Sequence, residues 1–169
     1  MIPGCVPAKP ISRRNFGRIN VMSLTVRKKR AIAAAKAAGM DGLLVTHLPD
    51  VRYLCGFTGS NAALVLAGGR AVLFTDGRYT AQAKAEVAGT RVVIAKKPAM
   101  AAACEWLEAA GVRQCGFDAT QTTVAALEGM RKAVSAKVPR GMFQAGGPLV
   151  ARLREVKDAE EMAAILKAA

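Results

Sequence analysis

The pattern of apolar and polar positions predicts alternating helices and strands from residue 24 onward. Residues 24–38 are rich in alanine and other helix formers, so they predict a helix that ends at Gly39. The apolar run at 42–46 has the length of a strand. Asp50 is then expected to cap a short helix that ends at Gly56.

A β-hairpin is predicted next. The apolar runs 62–67 and 71–74 flank a short segment that begins with Gly68 and Gly69. Glycine readily adopts the positive φ that tight hairpin turns require. The rest of the pattern predicts a helix with Tyr79, Ala83 and Val87 on its apolar face, followed by a strand at 92–94. A second helix, with Met100, Cys104 and Leu107 on its apolar face, is expected to end at Gly111. A strand at Gly116 and Phe117 and a helix marked by Val124, Leu127 and Val134 are predicted after it. This order predicts an α/β fold with a mixed central β-sheet flanked by helices.

Residues 146–169 predict two further helices. The second is expected to begin at Asp158, with Glu161 completing a capping box. Its apolar positions, at helical spacing, are Met162, Ile165 and Leu166. No later residues in the sequence cover this face. We therefore expect the helix to fold back on the sheet or to pair with a second copy of the chain.

Length and composition favour one globular domain. The 169 residues are 52% hydrophobic and 22% charged, and no apolar run reaches the length of a membrane span. The net charge of +13 invites a nucleic-acid interpretation, but residues 1–40 hold nine Lys/Arg and no acid. The excess is thus mainly an N-terminal property. Residues 27–30 are read as a solvated helix face, because no aromatic residues interleave with them. We expect neither a nucleic acid nor a membrane as partner.

The N-terminal segment, residues 1–22, is basic and carries three prolines. Residues 12–16 look like a twin-arginine export signal, but the residues that follow are too polar for one. The segment is either a disordered basic tail or the result of a start codon assigned upstream of Met22; a transit peptide is a further alternative. Four cysteines show no metal-ligand spacing, and a reducing, cytoplasmic location fits them best: Cys5, Cys55, Cys104 and Cys115.

Three blocks of sequence resemble one known family. Residues 50–61, DVRYLCGFTGSN, resemble the NVRYLTGFTGS segment in the N-terminal domain of bacterial Xaa-Pro aminopeptidases. Residues 73–80, LFTDGRYT, are similar to a block of the same domain, and residues 153–162 are similar to the family's L-R-x-x-K-D-x-x-E-[ILM]. The blocks occur in family order. Two departures are Asp50, where the family usually has Asn, and Cys55, where Thr is common.

The resemblance implies a creatinase/prolidase-type N-terminal domain with a ribonuclease H-like motif at 23–145. Linker helices at 146–169 would lead to a catalytic "pita-bread" domain beyond the sequence. That domain would bind two divalent metal ions, often manganese, through two Asp, one His and two Glu. The present chain would be inactive alone, without catalytic residues or metal ligands, since His47 is its one histidine. Its expected partners are the catalytic domain of the same parent chain, a second copy and the peptide substrate.

Four residues are candidates for substrate contact. Tyr53 and Phe57 either line a rim that faces an active site or are core aromatics. Arg78 either clamps a substrate carboxylate or pairs with Asp76 to fix a turn. Ser60 either contacts the ligand or serves the backbone of its turn. His47 has no recognisable nucleophile beside it and is read as a loop or core histidine.

Three alternatives to this function remain open. The chain could be a stand-alone interaction module that uses the helix at 159–169. It could be a nucleic-acid-binding protein that uses residues 9–36. Within the family, the parent could be a prolidase or a creatinase, because the residues that discriminate these enzymes lie mostly in the catalytic half.

Overall fold

The computed structural model describes residues 21–168. The predictions for residues 1–20, including Cys5, lie outside this part of the chain. The described elements, in order, are α1 (Val21–Ala37), β1 (Gly42–Val45), α2 (Leu48–Cys55), β2 (Ala63–Ala67), β3 (Arg70–Thr75), a 3₁₀ turn (Gly77–Tyr79), α3 (Thr80–Glu86), β4 (Arg91–Ile94), α4 (Ala99–Ala109), β5 (Cys115–Asp118), α5 (Val124–Ala133), a second 3₁₀ turn (Arg140–Met142), β6 (Phe143–Gly146), α6 (Leu149–Glu155) and α7 (Ala159–Ala168).

The six strands form one mixed sheet in the order β4-β3-β2-β1-β5-β6. Strand β1 pairs antiparallel with β2 and parallel with β5, so strand direction changes beside it. Strands β2 and β3 form the predicted hairpin, whose Gly68 and Gly69 have φ of 55° and 72°. Positive φ at both turn residues matches the twist of paired strands. The expected mixed sheet and hairpin are confirmed.

Helices cover both faces of the sheet. Side chains of successive strand residues point to opposite faces. Leu43, Leu64 and Leu73 accordingly belong to a cluster with α1, α2, α3 and α6. Leu44 and Val65 belong to a second cluster with α4 and α5. The predicted α/β fold with a helix-flanked sheet is therefore confirmed.

The beginning of α2 differs from the prediction. The helix begins at Leu48, one residue before Pro49, and its N-cap is His47. Proline favours the first turn of a helix, where its missing N–H is not needed. Asp50 is consequently inside the first turn, buried, and its capping role was predicted wrongly. The predicted end at Gly56 is confirmed by a left-handed φ of 84°.

The C-terminal segment contains one strand that the pattern did not predict. Phe143–Gly146 pairs with β5 in parallel as β6, an edge strand. Helix α6 then packs on the sheet through Val150, which is buried. The capping box at the start of α7 is confirmed: the Glu161 N–H donates to Asp158 (2.9 Å), and the Asp158 N–H donates to Glu161 (3.1 Å).

Within residues 21–168, no helix combines the length and the apolar character that crossing a membrane requires.

Candidate functional site

An exposed turn after β3 carries Arg78. Asp76 caps the 3₁₀ turn by accepting a hydrogen bond from the Arg78 N–H (3.0 Å). The same carboxylate accepts two bonds from the guanidinium, from Nε (3.0 Å) and Nη2 (2.9 Å). The Arg78 side chain is nonetheless 73% exposed. Its local pair with Asp76 therefore fixes its direction and leaves other N–H donors facing solvent.

The charge state of this turn is set by the ion pair. Hydrogen bonds from Arg78, and then from the Asn61 side-chain amide (2.6 Å), hold the pKa of Asp76 well below its usual range. Asp76 in turn raises the pKa of Arg78. Asp76 thus stays ionised at neutral pH and neutralises the nearest part of the guanidinium. A carboxylate ligand would have to share Arg78 with Asp76.

Ser60 lies beside this turn. Its hydroxyl is 2.6 Å from the Tyr79 hydroxyl, and the Arg78 guanidinium lies 5.4 Å from the Tyr79 ring centroid. Two of the predicted candidates, Ser60 and Arg78, are therefore brought together by Tyr79. Tyr79 was not among the predicted site residues, although it belongs to the same LFTDGRYT block as Arg78.

Tyr53 and Phe57 are placed in the core and not on a rim. Tyr53 is 7% exposed, and Phe57 is 1% exposed. The Phe57 ring packs edge-on against Tyr79, with centroids 5.7 Å apart. The Tyr53 ring lies under the Arg27 guanidinium (4.4 Å), and its hydroxyl donates to the Leu153 carbonyl (3.3 Å). Both rings belong to the core cluster on the α1 side of the sheet, so they serve packing.

A polar network joins the loop after α2 to helix α3. The Thr58 N–H and hydroxyl both donate to the Glu86 carboxylate at 2.8 Å. The Gln82 side-chain amide donates to Thr58 (2.9 Å) and to Glu86 (3.1 Å). This network fixes the loop that presents Ser60. Gln82 and Glu86 are four residues apart on α3, but the sequence did not indicate their contact with Thr58, which lies 28 positions before Glu86.

Helix α1 does not present all of its charges to solvent. Arg27 and Lys28 are buried, which corrects the interpretation of residues 27–30 as a solvated face. The Lys28 ammonium donates to the Gly89 carbonyl (2.6 Å) and to Thr90 (3.0 Å), and burial lowers its pKa. Buried cations require such partners. Helix α1 therefore has cations on its buried face as well as on its exposed face.

Arg27 ties α1 to the start of α7. Its Nε donates to Asp158 (3.1 Å), its Nη1 donates to the Tyr53 carbonyl (3.3 Å), and Glu161 lies 3.5 Å from Nη2. Burial raises the pKa of Asp158, but hydrogen bonds from Arg27 and the Glu161 backbone outweigh it, so the pKa is lowered overall. We call Arg27, Tyr53, Asp158 and Glu161 the α7 clamp.

A second ion pair holds α6. Arg154 donates to one oxygen of the buried Asp50 carboxylate (2.9 Å), and the other oxygen lies 3.1 Å from His47 Nδ1. Together with the α7 clamp, this pair anchors residues 149–161 on α1 and α2. The third family-like block is thus explained in part by contacts inside the domain.

The described residues do not fit a two-metal centre. Between residues 21 and 168, no three His, Cys, Asp or Glu side chains are grouped so that they could hold a metal ion. His47 is committed to Asp50, while Asp76 and Asp158 each accept hydrogen bonds from an arginine. A hard dication needs several convergent oxygen ligands without competing cations. The described cysteines, which are buried and reduced, are Cys55, Cys104 and Cys115.

Comparison with known proteins agrees with this fold. Residues 27–156 match the Creatinase/Prolidase N-terminal domain. The chain belongs to this family. It is 32% identical over 131 residues to the uncharacterized peptidase YqhT of Bacillus subtilis (strain 168), covering 78% of the chain and 36% of that protein. The chain therefore spans about a third of the length of this curated relative.

Two solved structures extend the comparison. The N-terminal domain of the cytoplasmic peptidase PepQ from Mycobacterium tuberculosis H37Rv is 33% identical, with a TM-score of 0.71 over 76% of this chain and 98% of that one. An Xaa-Pro aminopeptidase from Streptococcus pyogenes is 32% identical, with a TM-score of 0.69 over 80% of this chain and 100% of that one. The resemblance inferred from the three sequence blocks is confirmed.

Proposed function

We propose that the chain is the non-catalytic N-terminal domain of an Xaa-Pro aminopeptidase-like metallopeptidase. Residues 23–145 would form the domain, and residues 146–169 would lead toward a catalytic domain of the same parent chain. The domain would shape substrate access and carry contacts between copies of the parent, in the cytoplasm. The family match and the names of the relatives support this assignment.

The proposed role in substrate access rests on the exposed, oriented guanidinium of Arg78. It offers a cation at a fixed position on a surface turn, with the Ser60 and Tyr79 hydroxyls beside it. Such a group suits the terminal carboxylate of a short peptide, because guanidinium and carboxylate form charge-assisted hydrogen bonds. In the parent, two divalent metal ions, often manganese, would supply the hydroxide that attacks the scissile carbonyl. This chain would contribute only binding of the peptide substrate and restriction of access to the active site.

A peptidase assay tests the non-catalytic part. The purified chain, incubated with manganese or cobalt and an Xaa-Pro peptide, should show no turnover above buffer. Release of the N-terminal residue at the rate of an ordinary aminopeptidase, in a chelator-sensitive manner, would contradict the proposal.

Binding at Arg78 is tested by NMR titration of the same chain with Ala-Pro-Ala. Amide shifts are expected at residues 76–80 and at Ser60, and Arg78→Met should abolish them. Arg52→Met is the matched control, because the Arg52 side chain is also exposed and has no hydrogen bond or ion pair to any described residue. If both variants keep the shifts, Arg78 does not bind the peptide.

A second candidate function is a stand-alone interaction module. Helix α7 favours it, because Met162 (46% exposed), Ile165 (50%) and Leu166 (72%) form an open apolar face. Exposed apolar patches commonly mark contacts with other proteins. Within the family, prolidase and creatinase remain alternatives for the parent; assaying the parent on Xaa-Pro dipeptides, longer Xaa-Pro peptides and creatine separates the three.

A further inference from the structure

An open groove lies on the side of the sheet that α4 and α5 cover. It runs between the C-terminal part of α5 and the segment that leads into β6, with a volume of about 520 Å³. Its apolar lining residues are Val134, Ala136, Val138, Pro139 and Phe143. Helices α1 and α6, together with Tyr79 beside Arg78, pack against the opposite cluster of the core. The groove is therefore separate from the surfaces used in the proposed function.

The rim of this groove is positively charged. Arg131, Lys132 and Arg140 line it, against a single carboxylate, that of Glu128. All three cations are exposed, and none of their side chains has a hydrogen bond or ion pair to another residue in the described range 21–168. The arginines of the α7 clamp and of the Arg78 turn, in contrast, each pair with a carboxylate.

Helix electrostatics explain only part of this charge. Arg131 and Lys132 lie in the last turn of α5, where the partial negative charge of the helix end favours cations. Arg140 lies outside that helix, in the 3₁₀ turn before β6. Its position across the groove completes a rim of cations around an apolar floor, a combination that helix stability does not require.

We propose that this groove binds an acidic, extended peptide segment of another protein. Carboxylates of the segment would meet the three rim cations, and an apolar side chain would rest on Val134 and Val138. Phe143 begins β6, one of the two edge strands of the described sheet, and strand edges accept extended segments through main-chain hydrogen bonds.

The lining favours a peptide over a nucleic acid. Binding of single strands relies on aromatic side chains that stack with bases. The groove's one aromatic residue, Phe143, is 6% exposed and packs in the core. The remaining floor is aliphatic, which suits leucine-like side chains better than bases.

Fluorescence anisotropy on the full chain tests the proposal. The probe is a fluorescein-labelled peptide, Glu-Glu-Leu-Glu-Glu-Leu-Glu-Glu, at an ionic strength of about 0.15 M. Saturable binding is expected, with weaker binding of the same peptide carrying serine in place of leucine. Replacing Arg131, Lys132 and Arg140 by glutamate should weaken binding by roughly tenfold or more, because rim attraction becomes repulsion.

A matched variant controls for general charge. Lys84→Glu, Arg91→Glu and Lys96→Glu make the same charge change with exposed cations on and around α3 and β4, whose side chains likewise form no ion pair with any described residue. This variant should bind within about threefold of the wild type, because screening weakens distant surface charges. Circular dichroism confirms that both variants fold; if the triple groove variant does not, Arg140→Glu alone replaces it.

Four results would overturn the proposal. The first is an absence of saturable peptide binding to the wild-type chain. The second is an equal loss of peptide affinity in the variant with glutamate at 131, 132 and 140 and in the control variant with glutamate at 84, 91 and 96. The third is tighter binding of an oligothymidylate than of the acidic peptide, which would make the groove a nucleic-acid site. NMR shifts from the peptide that avoid Val138 and Phe143 would overturn it as well.

Discussion

Replacing Arg27 by methionine is expected to loosen the α7 clamp. The substitution keeps an unbranched apolar stem but removes the guanidinium that meets Asp158, the Tyr53 carbonyl and the Tyr53 ring. Because Arg27 is 5% exposed, water cannot fully replace these contacts on the buried side. The start of α7 should lose its fixed position on α1 while the central sheet stays intact.

The free energy of unfolding that Arg27→Met loses has three parts, one for each contact of the guanidinium. Leaving a buried carbonyl without its partner costs about 1–3 kcal/mol. The lost cation–π contact adds about 0.5–1 kcal/mol. The Asp158 side chain is 34% exposed and is rehydrated, so its ion pair contributes less than about 1 kcal/mol. The free energy of unfolding should fall by about 2–4 kcal/mol, which lowers the melting temperature by roughly 4–16 °C for a chain of this size.

Urea unfolding followed by circular dichroism measures this change. Lys29→Met is the matched control, since it removes an exposed cation from the same helix and should stay within about 0.5 kcal/mol of the wild type. Hydrogen exchange of α7 amides should accelerate in Arg27→Met alone. If Arg27→Met unfolds like Lys29→Met, the clamp adds nothing to stability, and the contacts described above do not fix α7.

Three further predictions follow from the same contacts and surfaces. The folded-state pKa of Asp158 is lowered, so its contribution is present above about pH 4 and is lost as the pH falls through that lowered pKa; acid titration of stability should show this loss in the wild type and a smaller one in Arg27→Met. Charged substitutions at Ile165 and Leu166 should shift sedimentation toward the monomer if α7 mediates self-association, and unchanged sedimentation would refute that role. A chain that starts at Met22 should melt within a few degrees of the full chain, and a large loss of stability would show that the preceding residues pack on the domain.

The elements that could be predicted are those with a strong local signal. The hairpin followed from two apolar runs and a glycine pair, and α4 followed from a helical stripe that Gly111 ends. Strand β6 has the sequence FQAG, which has no apolar run and is too short for its alternation to indicate a strand. It becomes a strand because β5 offers it a parallel partner. Pairing across the sheet is not encoded within four residues, so local patterns could not reveal it.

The site could be predicted only where chemistry is local. Arg78 and Asp76 are two residues apart, and their alternative role as a turn-fixing pair was recognisable from spacing alone. The burial of Arg27 was not recognisable, because its carboxylate partner lies 131 positions further along the chain. Likewise, whether Tyr53 faces solvent or core depends on where α6 packs. Contacts of this range require the fold to be known.

The separation of Arg27 from Asp158 also bears on how the domain is completed during translation. Ribosomes add about 5–20 residues per second, so roughly 7–26 s separate the synthesis of these 131-residue-distant partners. Throughout that interval the guanidinium on α1 has no carboxylate to meet, and the Leu153 carbonyl that receives the Tyr53 hydroxyl does not yet exist. On the sheet face that α1, α2 and α3 cover, the part of the core that α6 completes with Val150 therefore stays open until α6 emerges. Helper proteins that bind unfinished chains have access to this part of the face for that interval.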